Sequence, residues 1–333
     1  MTLSVSGDSI TFPDLSTQLT APSGFGFKNR IINGDMRIDQ RNNGASVGVT
    51  GSIYTLDRWK AQVPTGGSVQ RITSTIPDFA NSFKYTSSAS NAFLQSGQPI
   101  EYLNCYDLQN QTVLISFWVK ANNSNTGSTA LVVRTRTAAG IDASAIFSAA
   151  NTDTSVTITT SSAKYTVTRA LSTFGALSLE FVLGSHVSGD GFEITGVQLE
   201  KGSTATAFDY RDYGRELIMC QRYYYRQINY MGQAAPYNSE SSGGKGTSST
   251  GPIVFRVSRP HPVQMRATPS VGYANIEVWD GVVQRAVTSI SNNNSSIYGR
   301  SMDYNMSAAM GGAGFTASEF MQPSGFIDCS AEL

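Results

Sequence analysis

The stretch GFEITGVQLEKGSTATAFDYRDYGRELIMCQRYYYR, from Gly191 to Arg226, marks the point at which one sequence pattern ends and another begins. Its apolar side chains alternate with period 2 at Phe192 and Ile194, and the alternation resumes one residue out of phase at Val197. Because a one-residue phase slip at a glycine is typical of a β-bulge, Gly196 predicts a bent strand that closes a β-sandwich. The residues before this stretch therefore form one folded unit, and those after it form a second.

A short amphipathic helix is predicted directly after the bent strand. The small residues at 202–207 lead to Asp212, whose side chain suits the N-cap position. Four later side chains recur at i, i+4, i+7 and i+11 and so share one helical face: Tyr213, Leu217, Cys220 and Tyr224. Ile218 and Met219 point away from that face, so a single intramolecular contact would leave apolar area exposed.

Residues 29–205 show the pattern of short antiparallel strands. The clearest run has an apolar side chain at every second position: Val113, Ile115, Phe117 and Val119. Similar alternation follows at Leu131 and Val133, Val156 and Ile158, Tyr165 and Val167, and from Leu177 to Leu183. Polar clusters such as 121–128 and 184–191 separate these runs, and no helical period lies between them. The pattern predicts an antiparallel β-sandwich.

The last part of the chain predicts a second, smaller β unit. A loop rich in Gly and Ser, at 232–251, precedes it. Its strands are predicted at 252–257, 271–279, 282–290 and 326–333, with a hairpin turn at Asp280-Gly281. The chain therefore divides into four parts: an attachment arm at 1–28, a sandwich at 29–205, a linking helix at 206–230 and a C-terminal β domain at 231–333.

The amino-terminal arm is rich in Ser and Thr and is broken by Pro13 and Pro22, so it lacks a core of its own. It has four apolar side chains that can dock on a neighbouring surface: Val5, Ile10, Phe12 and Leu19. We expect an extended arm that attaches the chain to a partner and is disordered in isolation.

The charge balance argues against two classes of partner. Lys plus Arg (24) equals Asp plus Glu (24), so the chain lacks the basic field that nucleic acid or an anionic membrane requires. It has no apolar run near the roughly 18 residues that span a bilayer and no signal-peptide pattern, so we expect a soluble protein made in the cytoplasm. The three cysteines lack disulfide or metal spacing and are predicted to be buried thiols: Cys105, Cys220 and Cys329.

The sequence predicts no catalytic, cofactor-binding or metal-binding residues. The two histidines, His186 and His261, fit no metal-ligand spacing, and we expect them at the surface or in turns. Asp57 and Arg58 precede Trp59, and an ion pair that locks a strand end is favoured over a catalytic carboxylate, because no second carboxylate accompanies Asp57. We therefore predict a protein that is not an enzyme and that takes no cofactor.

Aromatic residues, at 10% of the chain, remain as candidates for a binding function. Ring faces stack on sugars while neighbouring polar groups bind the hydroxyls. Trp59 and Trp118 lie in strand-like runs and are predicted to be in the core, and alternate members of Tyr223–Tyr225 are predicted to be buried. Four aromatic residues of the last domain are candidate receptor contacts, with core packing as the alternative for each: Tyr273, Trp279, Tyr298 and Tyr304.

Several segments, in chain order, resemble tail-fibre and related structural proteins of tailed bacteriophages. They are NRIINGDMRIDQRNNG with YTLDRW (29–44 and 54–59), GVQLEKGSTATAFDYRDYGRELIMCQRYY (196–224), HPVQMRATPSV (261–271) and SAEL (330–333). SITFPDLSTQLTA (9–21) also resembles a segment near the start of phage fibre proteins, with Leu15 where a Gly is more usual. The resemblance implies a virion component, usually a homotrimeric fibre, whose jelly-roll β-sandwich is similar to that of carbohydrate-binding modules.

The resemblance favours a non-enzymatic virion protein of the tail-fibre type, which joins other phage proteins through its arm and presents β domains to a host-surface glycan. The alternative is a capsid-mounted fibre or decoration protein. A glycan depolymerase, which would need paired carboxylates in a groove, ranks below both. A homotrimer would cover the apolar area left by the helix, with four residues predicted at the subunit interface: Leu217, Ile218, Met219 and Tyr224.

Overall fold

The computed structural model describes residues 4–6, 9–11, 17–18, 28–90, 93–125, 128–142, 151–227, 254–279, 284–292, 295–306 and 318–332. Within these ranges the chain forms nineteen strands, one α-helix and two short 3-10 helices, Tyr102–Asn104 and Tyr106–Leu108. No helix in them is long and apolar enough to cross a membrane. The predicted all-β fold, with a jelly-roll-type sandwich, a linking helix and a smaller β unit, is confirmed.

The sandwich is built from ten antiparallel strands. They are β4 (Val47–Leu56), β5 (Trp59–Thr73), β6 (Asn81–Ser87), β7 (Leu94–Ile100), β8 (Thr112–Ala121), β9 (Ala130–Ala138), β10 (Asn151–Thr157), β11 (Ala163–Ala170), β12 (Ala176–Leu183) and β13 (Gly191–Lys201). Their order is β10-β9-β12-β7-β5-β6-β13-β8-β11, with β4 paired to β5. Residues 60–62 of β5 pair with β7, whereas residues 67–73 pair with β6. The long strand β5 therefore belongs to both halves of the sheet.

The two halves of this sheet face each other across one apolar core. Phe117 on β8 and Phe181 on β12, which are not neighbours in the strand order, have ring centroids 4.8 Å apart. Trp59 is fully buried in the same core, as predicted, whereas Trp118 is half-buried at the sheet surface. The three cysteines are free and buried, which confirms that prediction.

The bulge predicted in the closing strand is confirmed. The register between β13 and β8 shifts between Thr195 and Gln198, and Gly196 has φ +61°. A Cβ added at Gly196 would lie 2.4 Å from Cζ of Phe79. Glycine is therefore required at this position both by its backbone conformation and by the ring packed against it.

The arm forms a small sheet of its own. Its strands β1 (Ser4–Ser6), β2 (Ser9–Thr11) and β3 (Thr17–Gln18) are antiparallel, and Val5 is the register partner of Ile10. Phe12 and Leu19 lie outside the described residues. Docking of the arm on a partner stays a prediction.

The helix α1 runs from Tyr213 to Gln221. The predicted N-cap is confirmed, because Asp212 Oδ1 accepts a hydrogen bond from the main-chain N–H of Arg215 at 2.9 Å. The prediction of the buried face was wrong at both ends. Tyr213 is 56% exposed, and Tyr224 lies beyond the helix in β14 (Tyr224–Gln227).

The last sheet has the strand order β14-β19-β16-β17-β18-β15. Its remaining strands are β15 (Val254–Pro260), β16 (Ser270–Trp279), β17 (Gln284–Asn292), β18 (Gly299–Met306) and β19 (Ser318–Ser330). Because β14 pairs with β19, this sheet takes a strand from residues that the sequence assigned to the linking helix. The predicted loop at 232–251 and turn at Asp280-Gly281 fall outside the described part of the chain.

Candidate functional site

Two arginines of the sandwich converge on one carboxylate that follows the last strand. Arg41 Nη2 lies 2.9 Å from Glu332 Oε1, and Arg58 Nη1 donates to Glu332 Oε2. Each guanidinium also lies over a ring, with Arg58 3.6 Å from the centroid of Tyr223 and Arg41 3.4 Å from that of Tyr224. The side chains of Arg58 and Glu332 are only 1% and 5% exposed. We call these five residues the junction network, because they connect the sandwich to the last β unit.

The helix is fastened to the sandwich by a second buried ion pair. The main-chain N–H of Asn33 donates to Glu216 on α1, and Arg211 Nη1 lies 3.1 Å from the same carboxylate. The side chains of Arg211 and Glu216 are 2% and 3% exposed. Trp59 Nε1 in turn donates to the carbonyl oxygen of Asn33 at 3.0 Å. The turn at Asn33 therefore links the core tryptophan to the helix.

The end of the helix is attached through Glu101. Arg222 Nη2 lies 2.7 Å from Glu101 Oε1, and the Tyr223 hydroxyl donates to Oε2 at 2.7 Å. Burial acts to raise the pKa of Glu101, but the hydrogen bonds from Arg222 and Tyr223 outweigh it and the pKa is lowered. Glu101 is therefore held in its ionised form, as a counter-charge for Arg222.

The predicted ion pair between Asp57 and Arg58 was wrong. Arg58 turns to Glu332, whereas Asp57 Oδ2 accepts hydrogen bonds from the main-chain N–H and from Nε2 of Gln40, at 3.2 and 2.9 Å. Asp57 Oδ1 is buried without a hydrogen-bond partner. Burial raises the pKa of Asp57 to about 7, against the opposing effect of the Gln40 hydrogen bonds.

Replacing Asp57 by asparagine should change how stability depends on pH. The folded pKa of about 7 lies above the ordinary value of 3.8, so the folded protein retains a proton that the unfolded chain loses. The contribution of Asp57 to stability is therefore greatest at low pH and is lost as the pH rises through about 7. The stability of Asp57→Asn relative to the parent should increase by about 2 to 3 kcal/mol between pH 5 and pH 8, measured by urea unfolding. A difference that is the same at both pH values would contradict the burial of an ionisable Asp57.

The histidines were predicted at the surface or in turns; both lie in connections between strands, but their side chains are buried rather than at the surface. His261 is 7% exposed, with Nδ1 2.8 Å from the Tyr225 hydroxyl and Nε2 3.0 Å from the Ser296 carbonyl oxygen. His186 is 2% exposed in the connection between β12 and β13. All three of Tyr223–Tyr225 are buried, rather than alternate ones. In the part of the chain that the structure describes, no group of three or more His, Cys, Asp or Glu is arranged to hold a metal.

Two of the four candidate receptor contacts of the last domain, Tyr273 and Tyr298, have described side chains. Tyr298 is 67% exposed, in the turn before β18. Tyr273 is 36% exposed, and its hydroxyl accepts a hydrogen bond from the main-chain N–H of Ile290 at 3.1 Å. Trp279 lies in β16 and Tyr304 in β18, but their side chains are outside the part of the structure that is described. Receptor binding at these four residues stays a prediction.

The predicted subunit-interface residues differ in their exposure. Ile218 is 53% exposed, whereas Leu217 and Met219 pack in part against a buried cluster that contains Ile32. Tyr224 is 1% exposed beneath the guanidinium of Arg41. The homotrimer stays a prediction, and Ile218 is the member of this set with a largely exposed side chain.

Sequence reasoning missed a cluster of three aromatic rings outside the core. The ring centroids of Phe79 and Phe208 are 5.4 Å apart, and those of Phe208 and Tyr210 are 4.8 Å apart, both edge to face. Tyr210 is 55% exposed. Phe208 and Tyr210 are two residues apart in a segment without regular secondary structure, where the main-chain N–H of Tyr210 donates to the carbonyl oxygen of Phe208 at 3.1 Å. This close spacing of two aromatic residues was the available signal. We call these three residues the aromatic platform.

No protein-family model and no curated protein matches this chain. Among solved structures, it is similar to the enzymatically active domain of tailspike protein 4 of bacteriophage CBA120, at 14% identity and TM-score 0.34, over 52% of this chain and 21% of that one. It is also similar to the CBM22-1 xylan-binding domain from Paenibacillus barcinonensis, at 11% identity and TM-score 0.35, over 55% of this chain and 100% of that one. A putative sugar binding protein from Bacteroides thetaiotaomicron matches at 16% identity and TM-score 0.34, over 53% of this chain and 100% of that one.

Proposed function

We propose that this chain is a non-enzymatic structural protein of a bacteriophage virion, of the tail-fibre type. One observation carries the proposal. Charged residues from the segments that resemble phage fibre proteins, Arg58 and Glu332 among them, are buried in the junction network. Buried, mutually paired charges position the elements that carry them, whereas catalytic carboxylates have to face a groove that admits substrate.

The junction network suits a protein that transmits force between two domains. Arg41 and Arg58 come from the sandwich and Glu332 follows the last strand, so the relative orientation of the two units depends on a buried contact. Breaking such a contact leaves an uncompensated buried charge, which opposes hinge motion. A fibre that holds its receptor-binding surface at a fixed distance from the particle requires this resistance.

The mechanism we propose is multivalent adhesion to a host-surface glycan. The arm at 1–28 attaches the chain to other virion proteins, and the β domains are presented outward as a homotrimer. Three copies of a weak site on one symmetric assembly bind with an avidity that a single site lacks. Ile218, which is 53% exposed on α1, is the residue at which we place the subunit contact.

Deleting residues 1–28 is expected to leave a folded protein that no longer joins phage particles. Among the residues that the structure describes, the core cluster of the sandwich begins at Ile31, so we expect the sandwich to fold without the arm. The truncated chain and the full-length chain would each be supplied to a phage that lacks the protein, and purified particles would be probed by immunoblotting. Circular dichroism would check that the truncated chain is folded. Incorporation of the truncated chain at the parental level would place attachment elsewhere.

Two observations would change the proposed function. An image of labelled particles that places the chain on the head lattice would favour the capsid-mounted alternative. Release of oligosaccharides from a host polysaccharide by the purified protein, abolished by substitution of one Asp or Glu, would favour a depolymerase.

A further inference from the structure

The aromatic platform lies at the surface of the protein and shares no residue with the junction network. Its rings come from the loop between β5 and β6, which carries Phe79, and from the segment after β13, which carries Phe208 and Tyr210. Phe79 and Phe208 are half-buried, and Tyr210 is 55% exposed. Exposed aromatic rings that contact each other outside the core are a recurrent feature of binding surfaces.

The exposed ring is held in place rather than free to move. The Tyr210 hydroxyl donates to the carbonyl oxygen of Asp78 at 2.7 Å. Phe79, the residue that follows Asp78, packs against the bulge at Gly196, and its ring is tilted by 33° to that of Tyr210 at a centroid distance of 6.0 Å. A ring that is fixed before binding loses little conformational entropy when a ligand stacks on it.

Polar groups able to bind hydroxyls lie beside this ring. Arg37 Nη2 donates to the carbonyl oxygen of Arg211, the residue that follows Tyr210, at 2.6 Å. Arg37 Nε lies 2.9 Å from Asp35 Oδ2, and the two side chains are 20% and 11% exposed. The surface therefore combines an apolar ring face with a partly exposed guanidinium, which the buried carboxylate of Asp35 holds in position.

We propose that the aromatic platform binds a pyranose unit of a bacterial surface polysaccharide, with the sugar stacked on Tyr210 and its hydroxyls bound by the partly exposed guanidinium of Arg37. A pyranose presents an apolar face of C–H groups and an edge of hydroxyls, which matches this combination. A purely apolar partner would desolvate the exposed part of the Arg37 guanidinium without giving it new hydrogen bonds, which is costly. The inference rests on the proposed glycan recognition and gives it a site on the sandwich rather than on the last domain.

Binding to an immobilised panel of purified bacterial lipopolysaccharides and capsular polysaccharides, measured by interferometry with the full-length chain, tests the site. Tyr210→Leu keeps apolar volume but removes the ring, and it should weaken binding about tenfold. Tyr210→Phe keeps the ring and should bind within about twofold of the parent. Tyr213→Leu is the matched control, because Tyr213 is 56% exposed, three residues away and outside the platform, and it should bind as the parent does.

A second measurement uses the unaltered chain and so does not depend on how the variants fold. Tyrosine nitration, mapped by mass spectrometry, should decrease at Tyr210 and not at Tyr213 when a bound polysaccharide from the panel is present. If the parent binds a polysaccharide but Tyr210→Leu binds equally well and Tyr210 is not protected, the platform is not the site, although glycan recognition stands. If the parent binds none of the polysaccharides, both the platform and the proposed glycan recognition are overturned.

Discussion

Replacing Glu332 by glutamine is expected to destabilise the folded chain by about 3 to 5 kcal/mol, since it leaves buried Arg58 without a counter-charge. The Arg58 side chain is 1% exposed and donates to Glu332 and to the carbonyl oxygen of Pro99, so glutamine can replace a hydrogen bond but not the charge. Arg41 loses the same partner. Urea unfolding of variant and parent at one pH measures the difference.

An exposed ion pair on the helix provides the matched control for Glu332. Arg215 and Asp212 are 3.3 Å apart, with side chains 65% and 62% exposed. Arg215→Gln is expected to cost below about 1 kcal/mol, because solvent screens an exposed pair. Equal costs for Glu332→Gln and Arg215→Gln would mean that the junction network does not hold a desolvated charge.

Replacing Gly196 by alanine is expected to cost about 2 to 5 kcal/mol. A φ of +61° is strained for a residue with a side chain, and the added Cβ would lie 2.4 Å from Cζ of Phe79. The backbone strain costs about 1 to 2 kcal/mol and overpacking adds about 1 to 3 kcal/mol. Thermal and urea unfolding of the variant check the sum.

The matched control for Gly196 is a glycine with a similar backbone and an open surrounding. Gly51 has φ +81°, and nothing lies within 4 Å of a Cβ added there, so Gly51→Ala should show the backbone cost alone. Adding Phe79→Ala to Gly196→Ala should recover part of the clash. If Gly196→Ala and Gly51→Ala lower the free energy of unfolding by the same amount, the ring of Phe79 does not pack closely against Gly196.

Local sequence periodicity was sufficient for several parts of the fold. The phase slip at Gly196 predicted the bulge, and Asp212 predicted the start of the helix, because a bulge and a cap involve residues close together in sequence. The apolar alternation at Val113–Val119 likewise predicted β8. Strand β5 was missed, since Pro64 and Gly66-Gly67 interrupt its pattern.

Contacts between distant residues could not be predicted in the same way. Arg58 and Glu332 are 274 residues apart, so nothing near Asp57-Arg58 indicated that the guanidinium would turn away from its neighbour. Alternate members of Tyr223–Tyr225 were predicted to be buried, yet all three are. Arg58 lies over Tyr223, Arg41 lies over Tyr224, and Tyr225 packs in a cluster with Met265. Phe79 and Tyr210 are far apart in sequence and are brought together by the pairing of β13 with β6, so the platform had no local signal beyond the spacing of Phe208 and Tyr210.

The joining of the two β units by a desolvated charge pair is tested most directly by a double-mutant cycle on Arg58 and Glu332. The free energy of unfolding would be measured for the parent, Arg58→Met, Glu332→Gln and the double variant. We predict a coupling energy of about 2 kcal/mol or more, with the double variant less destabilised than the sum of the two single variants. The reason is that Glu332→Gln leaves Arg58 buried without a counter-charge, whereas Arg58→Met leaves Glu332 with Arg41 alone. Additive costs for the two substitutions would contradict the account.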